Sequence, residues 1–297
     1  MKISRVFTAV LAMLMTVAAG LIFGSGAAVA SPKPTVVLVH GAFADATSWD
    51  GVAADLRSRG YRVVVPDNPL RGPAYDASVI EKTVADIDGP VVLVGHSYGG
   101  AVITNVHDPK VQSLVYIAAF APVQGEPVQI TIDPIRFPGS QLLPPALGLK
   151  IVDDPHAIGG KNVDGYVTDE YFHSVFAQDV SDETAATMLA HQKSAALWAN
   201  LELGGPPSWA NTPSWYLVAG EDRVIPATAQ RFMANRMGAN TSELPTSHAS
   251  LVSQPGAVAD VIVAAAHGCV SDRHERRTRV RRKRSPRSRG RTGPGWR

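Results

Sequence analysis

The chain has 297 residues, 45% of them hydrophobic, which is enough to bury the core of one large domain or two small ones. Its formal net charge of +2 hides an asymmetry, because residues 271–297 hold 12 Lys/Arg against 2 Asp/Glu and residues 31–270 therefore carry a net charge of −10. An acidic body of this kind argues against nucleic-acid binding by the folded part of the chain.

The N-terminus has the features of a secretory signal peptide. Two basic residues precede an apolar run over 6–23, and the A-x-A pattern at 28–30 provides a cleavage site before Ser31. We therefore predict a signal peptide over 1–30 and a secreted protein. An uncleaved membrane anchor is the alternative, because the apolar run approaches the length that spans a bilayer.

The C-terminal residues 271–297 are rich in Arg, Ser, Pro and Gly and lack an apolar face. This composition predicts a basic, disordered tail that would bind an anionic surface if it has a function. The abrupt break in composition is equally compatible with a translation oddity. Membrane contact is expected only through this tail or an uncleaved signal.

The single cysteine, Cys269, excludes an internal disulfide. The sequence carries no signal for an oligomeric state.

Strand-like and helix-like segments alternate through the first part of the body, residues 31–121. This rhythm predicts right-handed crossovers and a mainly parallel sheet with helices on both faces, an α/β fold. It resumes after residue 213. The predicted strands are 35–39, 61–65, 91–94, 113–117 and 214–218, with a short stretch near 241–244, and the predicted helices are 48–59, 77–87, 227–237 and 255–266.

The rhythm breaks between residues 122 and 210, where prolines and glycines are frequent and no segment is a convincing strand. Two segments, 168–177 and 181–192, have helical character. Since structureless loops of this length are rare inside compact domains, we predict a helical cap inserted into a domain over 31–270. The aromatic residues of this region either line an acyl pocket or form the core of the cap: Phe137, Tyr166, Tyr171, Phe172, Phe176 and Trp198.

A nucleophile elbow is indicated by the G-x-S-x-G pattern over 95–99, which directly follows the apolar strand 91–94. A serine on such a strand-to-helix turn sits in a strained backbone conformation. Only small residues two positions before and after it let the strand and helix approach, and Gly95 and Gly99 occupy those positions. Ser97 is therefore the predicted nucleophile.

A serine hydroxyl needs a base within hydrogen-bond reach and an acid that orients the base. After this elbow the acid and then the histidine are expected downstream. His248 follows the last strand candidate and is the predicted base. Asp222, just past strand 214–218, is the predicted acid, with Glu221 and Glu126 as rivals.

An oxyanion hole needs two backbone N–H groups. One is expected from Tyr98, the residue after the nucleophile. The other is expected from the turn His40-Gly41-Ala42-Phe43, where we assign it to Ala42 with Phe43 as a rival by one position. His40 and His96 flank backbone turns, so a role in shape is expected of them rather than proton transfer. No cofactor or metal site is predicted, and Asp153, Asp154 and His156 form only a loop cluster without a tetrahedral set.

Four motifs over residues 35–266 resemble the α/β-hydrolase superfamily: HGAFADATSW, GHSYGG, GEDRVIP and SHASLVSQP. Within it, the chain is similar to the branch that holds plant methylesterases and hydroxynitrile lyases, and to bacterial esterase-like hydrolases. In the lyases a threonine typically stands at the position of Gly41 and a lysine at that of Ala249. The resemblance therefore implies ester hydrolysis rather than cyanohydrin cleavage.

The resemblance implies an acyl-enzyme on Ser97 and a small-molecule ester as substrate. Three alternatives stay open at this point. A protein on this scaffold can bind a small ligand and signal with slow or no turnover. A perhydrolase side activity would use the same three residues. The apolar start and basic tail would also suit a hydrolase that acts on lipids at a membrane.

Overall fold

The computed structural model of the chain describes residues 33–268. The predicted signal peptide, its cleavage site before Ser31, Cys269 and the basic tail lie outside the described residues. All described residues belong to one compact unit. Among them, none of the helices combines the length and the apolar character needed to cross a bilayer.

A six-stranded, wholly parallel sheet forms the centre of the fold, in the order β2-β1-β3-β4-β8-β9. Parallel strands that follow one another in the chain need a crossover connection, which is usually a helix, as the alternating sequence pattern predicts. The α/β architecture with a parallel sheet that the sequence predicts is thereby confirmed. The strands are β1 (Thr35–Val39), β2 (Val63–Val64), β3 (Val91–His96), β4 (Val111–Ile117), β8 (Ser214–Ala219) and β9 (Asn240–Leu244).

The helices follow the predicted positions within a few residues. The second begins four residues earlier than predicted, because Pro73 takes the first helical position, where its missing N–H costs nothing. The helices are α1 (Asp50–Ser58), α2 (Pro73–Ala85), α3 (Tyr98–Thr104), α4 (Asp182–Ala190), α5 (Ala227–Met237), α6 (Ser250–Ser253) and α7 (255–268).

The sheet buries both of its faces. Alternate residues of β1 and β3 point to opposite sides, so that Val37 and Leu93 join one apolar cluster while Val36 and Val92 join the other. The first cluster includes residues of α2, α3 and α5, and the second those of α1 and α7. Near-continuous apolar runs are what a parallel sheet covered on both faces requires.

The excursion between β4 and β8 contains an antiparallel sheet, so the expectation of a cap without strands is wrong. Strands β5 (Leu147–Asp153), β6 (Lys161–Val167) and β7 (Ala195–Ala196) pair in that order. The sequence hides β5 because most of its residues are exposed and Lys, Gly and Asp interrupt its apolar alternation. The predicted helical character of 168–177 and 181–192 is present as a turn of α-helix leading into a π-helical turn, Phe172–Phe176, and as α4.

Candidate active site

The elbow holds Ser97 in a strained backbone conformation with a positive φ, φ 53° and ψ −123°. Two glycines allow the close approach of backbone segments that this turn requires. A Cβ at Gly95 would lie 2.5 Å from the carbonyl oxygen of Gly99, and a Cβ at Gly99 would lie 2.5 Å from the carbonyl oxygen of Val39. Any side chain at either position would push strand and helix apart, so the sequence pattern has the mechanical reason expected of it.

Ser97, His248 and Asp222 form one hydrogen-bonded chain. The Ser97 hydroxyl lies 2.8 Å from Nε2 of His248, and Nδ1 of His248 lies 2.7 Å from Oδ2 of Asp222. A carboxylate only accepts, so Nδ1 carries the proton and Nε2 is free to accept from the serine. Ser97 is 4% exposed and His248 is fully buried, so bulk water does not compete for these bonds.

The Asp222 carboxylate is fixed by four donors. Its Oδ1 accepts from the backbone N–H groups of Val224 at 2.7 Å and Ile225 at 2.9 Å. Its Oδ2 accepts from His248 and from the amide of Gln230 at 2.8 Å. Both oxygens of the carboxylate therefore accept two hydrogen bonds each, which fixes its orientation. Gln230 is a site residue that the sequence analysis did not identify.

The two rival acids lie elsewhere. Glu221 is exposed, although it neighbours Asp222 in the chain. Glu126 pairs with Arg236 on α5, with a shortest separation of 2.8 Å. Of the three candidate acids, only Asp222 contacts the imidazole of His248.

The loop of residues 40–43, from which the second oxyanion donor is predicted and which we call the oxyanion loop, is held in place on both sides. His40 accepts at Nε2 from the backbone N–H of Asn68 at 3.0 Å, and the Asn68 amide donates to the His40 carbonyl at 2.9 Å. Phe43, with φ 62°, donates its N–H to the carbonyl of Lys193 at 3.0 Å. Within residues 33–268 the N–H groups of Ala42 and Tyr98 have no hydrogen-bond partner, so these two are free to donate to a ligand.

The Tyr98 side chain anchors the elbow helix. Its hydroxyl donates to Oδ2 of Asp76 on α2 at 2.8 Å, and both side chains are buried. Burial raises the pKa of Asp76 above its usual value, and it raises that of Tyr98 well above its own. The contact fixes the first residue of α3, whose N–H is one of the two unpaired donors.

His96 lies beside His248 but takes a different role. Its Nε2–H donates to the carbonyl oxygen of His248 at 2.9 Å, and the two ring centroids are 4.8 Å apart. Burial lowers the pKa of His96 well below its usual value, and the nearby His248 acts in the same direction. His96 is therefore neutral and holds the backbone of His248 in place, as the expectation of a role in shape requires.

The buried, neutral His96 should make the fold less stable in acid. The unfolded chain binds a proton at this histidine below about pH 6.5, whereas the folded chain does not, so the free energy of unfolding should fall by up to about 1.4 kcal/mol per pH unit below that value. His96→Gln keeps a donor for the His248 carbonyl and cannot titrate. Denaturant unfolding at pH 7.5 and pH 5.5 should therefore show a smaller acid loss for the variant than for wild type; parallel losses would contradict this.

Cap residues cover the site. The ring of Phe176 meets the His248 ring edge-on, with centroids 5.0 Å apart, and Phe172 stacks on Phe176 at 5.1 Å. Phe172 and Phe176 belong to the first apolar cluster of the sheet, so at these two positions the cap aromatics form part of the core and also line the site. Trp198, by contrast, is 63% exposed.

A cleft of about 400 Å³ opens between the oxyanion loop, α4 and α6. Phe43, Met188 and Val252 give it an apolar part. Asp45 and His191, 3.0 Å apart, lie on its polar side and tie the end of α4 to the turn after the oxyanion loop. Within residues 33–268 no three His, Cys, Asp or Glu side chains come together as a metal site.

A family model described as "Alpha/beta hydrolase family" matches residues 36–261. The chain belongs to this alpha/beta hydrolase family. Apart from Thr35 at the start of β1, the match spans the six strands of the central sheet, and it includes the three residues of the hydrogen-bonded chain at the site.

Three known proteins are similar to the chain in sequence. A carbendazim hydrolyzing esterase from Nocardioides is 35% identical over 136 residues, which covers 41% of this chain and 53% of that protein. A pyrethroid hydrolase from Sphingobium wenxiniae is 29% identical and covers 76% of this chain and 85% of that protein. Methylesterase 2 from Arabidopsis thaliana is 25% identical, with 79% and 96% covered.

Solved structures share the alpha/beta hydrolase fold. Polyneuridine aldehyde esterase superposes with a TM-score of 0.66 at 20% identity, covering 78% of this chain and 99% of that one. Together with the methylesterase relative, this agrees with the resemblance to the plant methylesterase branch found in the sequence.

Proposed function

We propose that the protein is a carboxylic ester hydrolase that acts on small molecules through an acyl-enzyme on Ser97. The observation that carries this proposal is the hydrogen-bonded chain from the Ser97 hydroxyl through the His248 imidazole to the Asp222 carboxylate. The similar proteins named as an esterase, a pyrethroid hydrolase and a methylesterase support the same reaction class.

In this mechanism the Ser97 oxygen attacks the ester carbonyl while Nε2 of His248 takes its proton. The imidazolium then gives that proton to the leaving alcohol, and Asp222 stabilises the imidazolium through Nδ1. Water, deprotonated by the same imidazole, attacks the acyl-enzyme; the imidazolium then returns that proton to the Ser97 oxygen as the acid is released. Because the nucleophile is almost wholly buried, the charges of these steps develop in a site from which bulk water is excluded.

The negative oxygen of the tetrahedral intermediate would bind to the N–H groups of Ala42 and Tyr98. The N–H of Phe43, the rival donor, already bonds to the Lys193 carbonyl. Gly41 supports hydrolysis over cyanohydrin cleavage, because a Cβ at this position would lie 2.7 Å from the Cβ of Ser97. The threonine that is typical of the lyases would not fit there without a shift of the elbow.

We also propose that the ester substrate approaches the site through the cleft beside Phe43. Neither Ser97 nor His248 lines this cleft, so it would be an approach to the nucleophile and not the acyl pocket itself. The apolar side chains of Phe43, Met188 and Val252 would contact its hydrocarbon part. The cleft volume of about 400 Å³ lies within the range of small-molecule sites.

Export through residues 1–30 remains a proposal from the sequence alone, and N-terminal sequencing of protein recovered from culture medium tests it.

Sustained turnover of p-nitrophenyl esters with increasing acyl length is the test of the proposed function. Fluorophosphonate labelling of one aliquot counts the active sites, and each site counted in this way should complete many cycles in an unlabelled aliquot. A signalling protein on the same scaffold would stop after about one cycle per site. No turnover on any ester of the series, with folded protein, would reject the proposal.

A further inference from the structure

Cap residues 172–179, the cap segment, touch both loops that carry the partners of Ser97. On the acid side, the guanidinium of Arg223 donates to the carbonyl of Ser174 at 2.7 Å. The amide of Gln178 donates to the carbonyl of Glu221, also at 2.7 Å. These bonds flank Asp222 on its two sides along the chain.

Asp179 makes the corresponding contact on the histidine side. One of its oxygens, Oδ2, accepts from the backbone N–H of Ser247 at 2.9 Å and from the hydroxyl of Ser253 at 2.8 Å. Ser247 is fully buried and directly precedes His248, while Ser253 ends α6. The carboxylate therefore joins the two ends of the loop that presents the imidazole.

This contact complements the one from His96. His96 holds the carbonyl of His248 from the sheet side, and Asp179 holds the preceding N–H from the cap side. A hydrogen bond to a charged acceptor is stronger than one between neutral groups. Asp179 itself is exposed, so removing its carboxylate would leave the N–H of the buried Ser247 with a water molecule at best. The loop would then lose the charged acceptor that fixes its position.

We propose that Asp179 is a positioning residue for His248, so that the cap completes the catalytic geometry instead of only covering it. The inference rests on the proposed esterase function. Asp179 touches no reacting atom and acts only through the placement of the Nε2 atom of His248 relative to Ser97. A displacement of about 1 Å at such a site can cost up to about a hundredfold in rate.

The experiment compares Asp179→Ala, Asp179→Asn and Asp169→Ala in the full chain with a p-nitrophenyl ester. Asp179→Ala should lower kcat, expressed per active site counted by labelling, about tenfold. Its KM should stay within about twofold of the wild-type value, because only the alignment of the imidazole is disturbed. Asp179→Asn should stay within about threefold of wild type, because one amide oxygen can accept both bonds. Asp169 is an exposed carboxylate of the same cap without a contact to either loop among the described residues, and its variant should match wild type.

Fluorophosphonate labelling separates misplacement from partial unfolding, because a merely structural loss lowers the labelled fraction and leaves kcat per site unchanged. The proposal is overturned by an unchanged kcat per site in Asp179→Ala, or by an equal loss in Asp179→Asn. If Asp179→Ala does not fold, Ser253→Ala removes one of the two bonds and should lower kcat per site about threefold; no loss there overturns the proposal too. A wild-type protein without turnover would instead reject the esterase function itself.

Discussion

Replacing Ser97 by alanine should lower kcat for short p-nitrophenyl esters by a factor of about 10⁴ or more and abolish fluorophosphonate labelling. The hydroxyl is the one atom group that the change removes. Gly95, Gly99 and the unpaired N–H groups of Ala42 and Tyr98 all remain, so a residual rate above that of uncatalysed hydrolysis is expected from binding of the oxyanion alone.

The Ser97→Ala variant should stay folded, because alanine occupies less space in the same turn and the elbow is closed by backbone contacts. The backbone N–H groups of Gly100 and Phe120 both donate to the carbonyl of residue 97, at 2.9 and 3.1 Å. Ser78→Ala, on the exposed face of α2, is the matched control and should keep full activity. Wild-type turnover by folded Ser97→Ala protein would reject Ser97 as the nucleophile.

The elbow could be found from the sequence because its geometry is encoded locally. Five consecutive residues carry both the nucleophile and the glycines that permit its turn, and the apolar strand before them is continuous. The order of segments then leads to Asp222 and His248, which the fold brings to the same edge of the sheet. A parallel sheet places all its carboxyl ends together, so chain order alone narrows the candidates.

The surrounding groups could not be found in this way. Gln230 lies on a helix with no motif, and Asp179 belongs to a cap whose strands are half-exposed and broken by charged residues. The alternative between Ala42 and Phe43 also stayed open in the sequence. The choice between these two donors depends on the Lys193 carbonyl, which is 150 residues away in the chain. This carbonyl accepts the hydrogen bond of the Phe43 N–H only once the cap is in place.

Replacing Asp222 by asparagine should lower kcat by a factor of about 10³ to 10⁴ with little change in the shape of the site. The reason is the set of four donors around the carboxylate. If the new amide nitrogen takes the place of Oδ1, it faces the N–H groups of Val224 and Ile225, and donors meet donors. This orientation is therefore disfavoured.

If the amide nitrogen instead takes the place of Oδ2, it faces the Gln230 amide and Nδ1 of His248. The imidazole can then bond to it only by giving up the proton on Nδ1 and carrying one on Nε2. In that tautomer Nε2 points a hydrogen at Ser97 and cannot accept its proton. The first orientation sets the amide nitrogen against two backbone N–H donors, whereas the second sets it against one, the Gln230 amide. The second orientation should therefore dominate, and it costs the base its acceptor nitrogen.

Glu221→Gln is the matched control, since Glu221 is the neighbouring acid and its side chain is exposed. It should keep wild-type kcat and labelling rate, whereas Asp222→Asn should label far more slowly with fluorophosphonate, because the serine is no longer activated. Unfolding in denaturant should show Asp222→Asn less stable by about 1 to 3 kcal/mol, for the donor left without an acceptor. Equal activity of Asp222→Asn and wild type, or a loss of activity in Glu221→Gln instead, would show that Asp222 is not the acid that orients His248. The tautomer inferred for His248 would then be wrong as well.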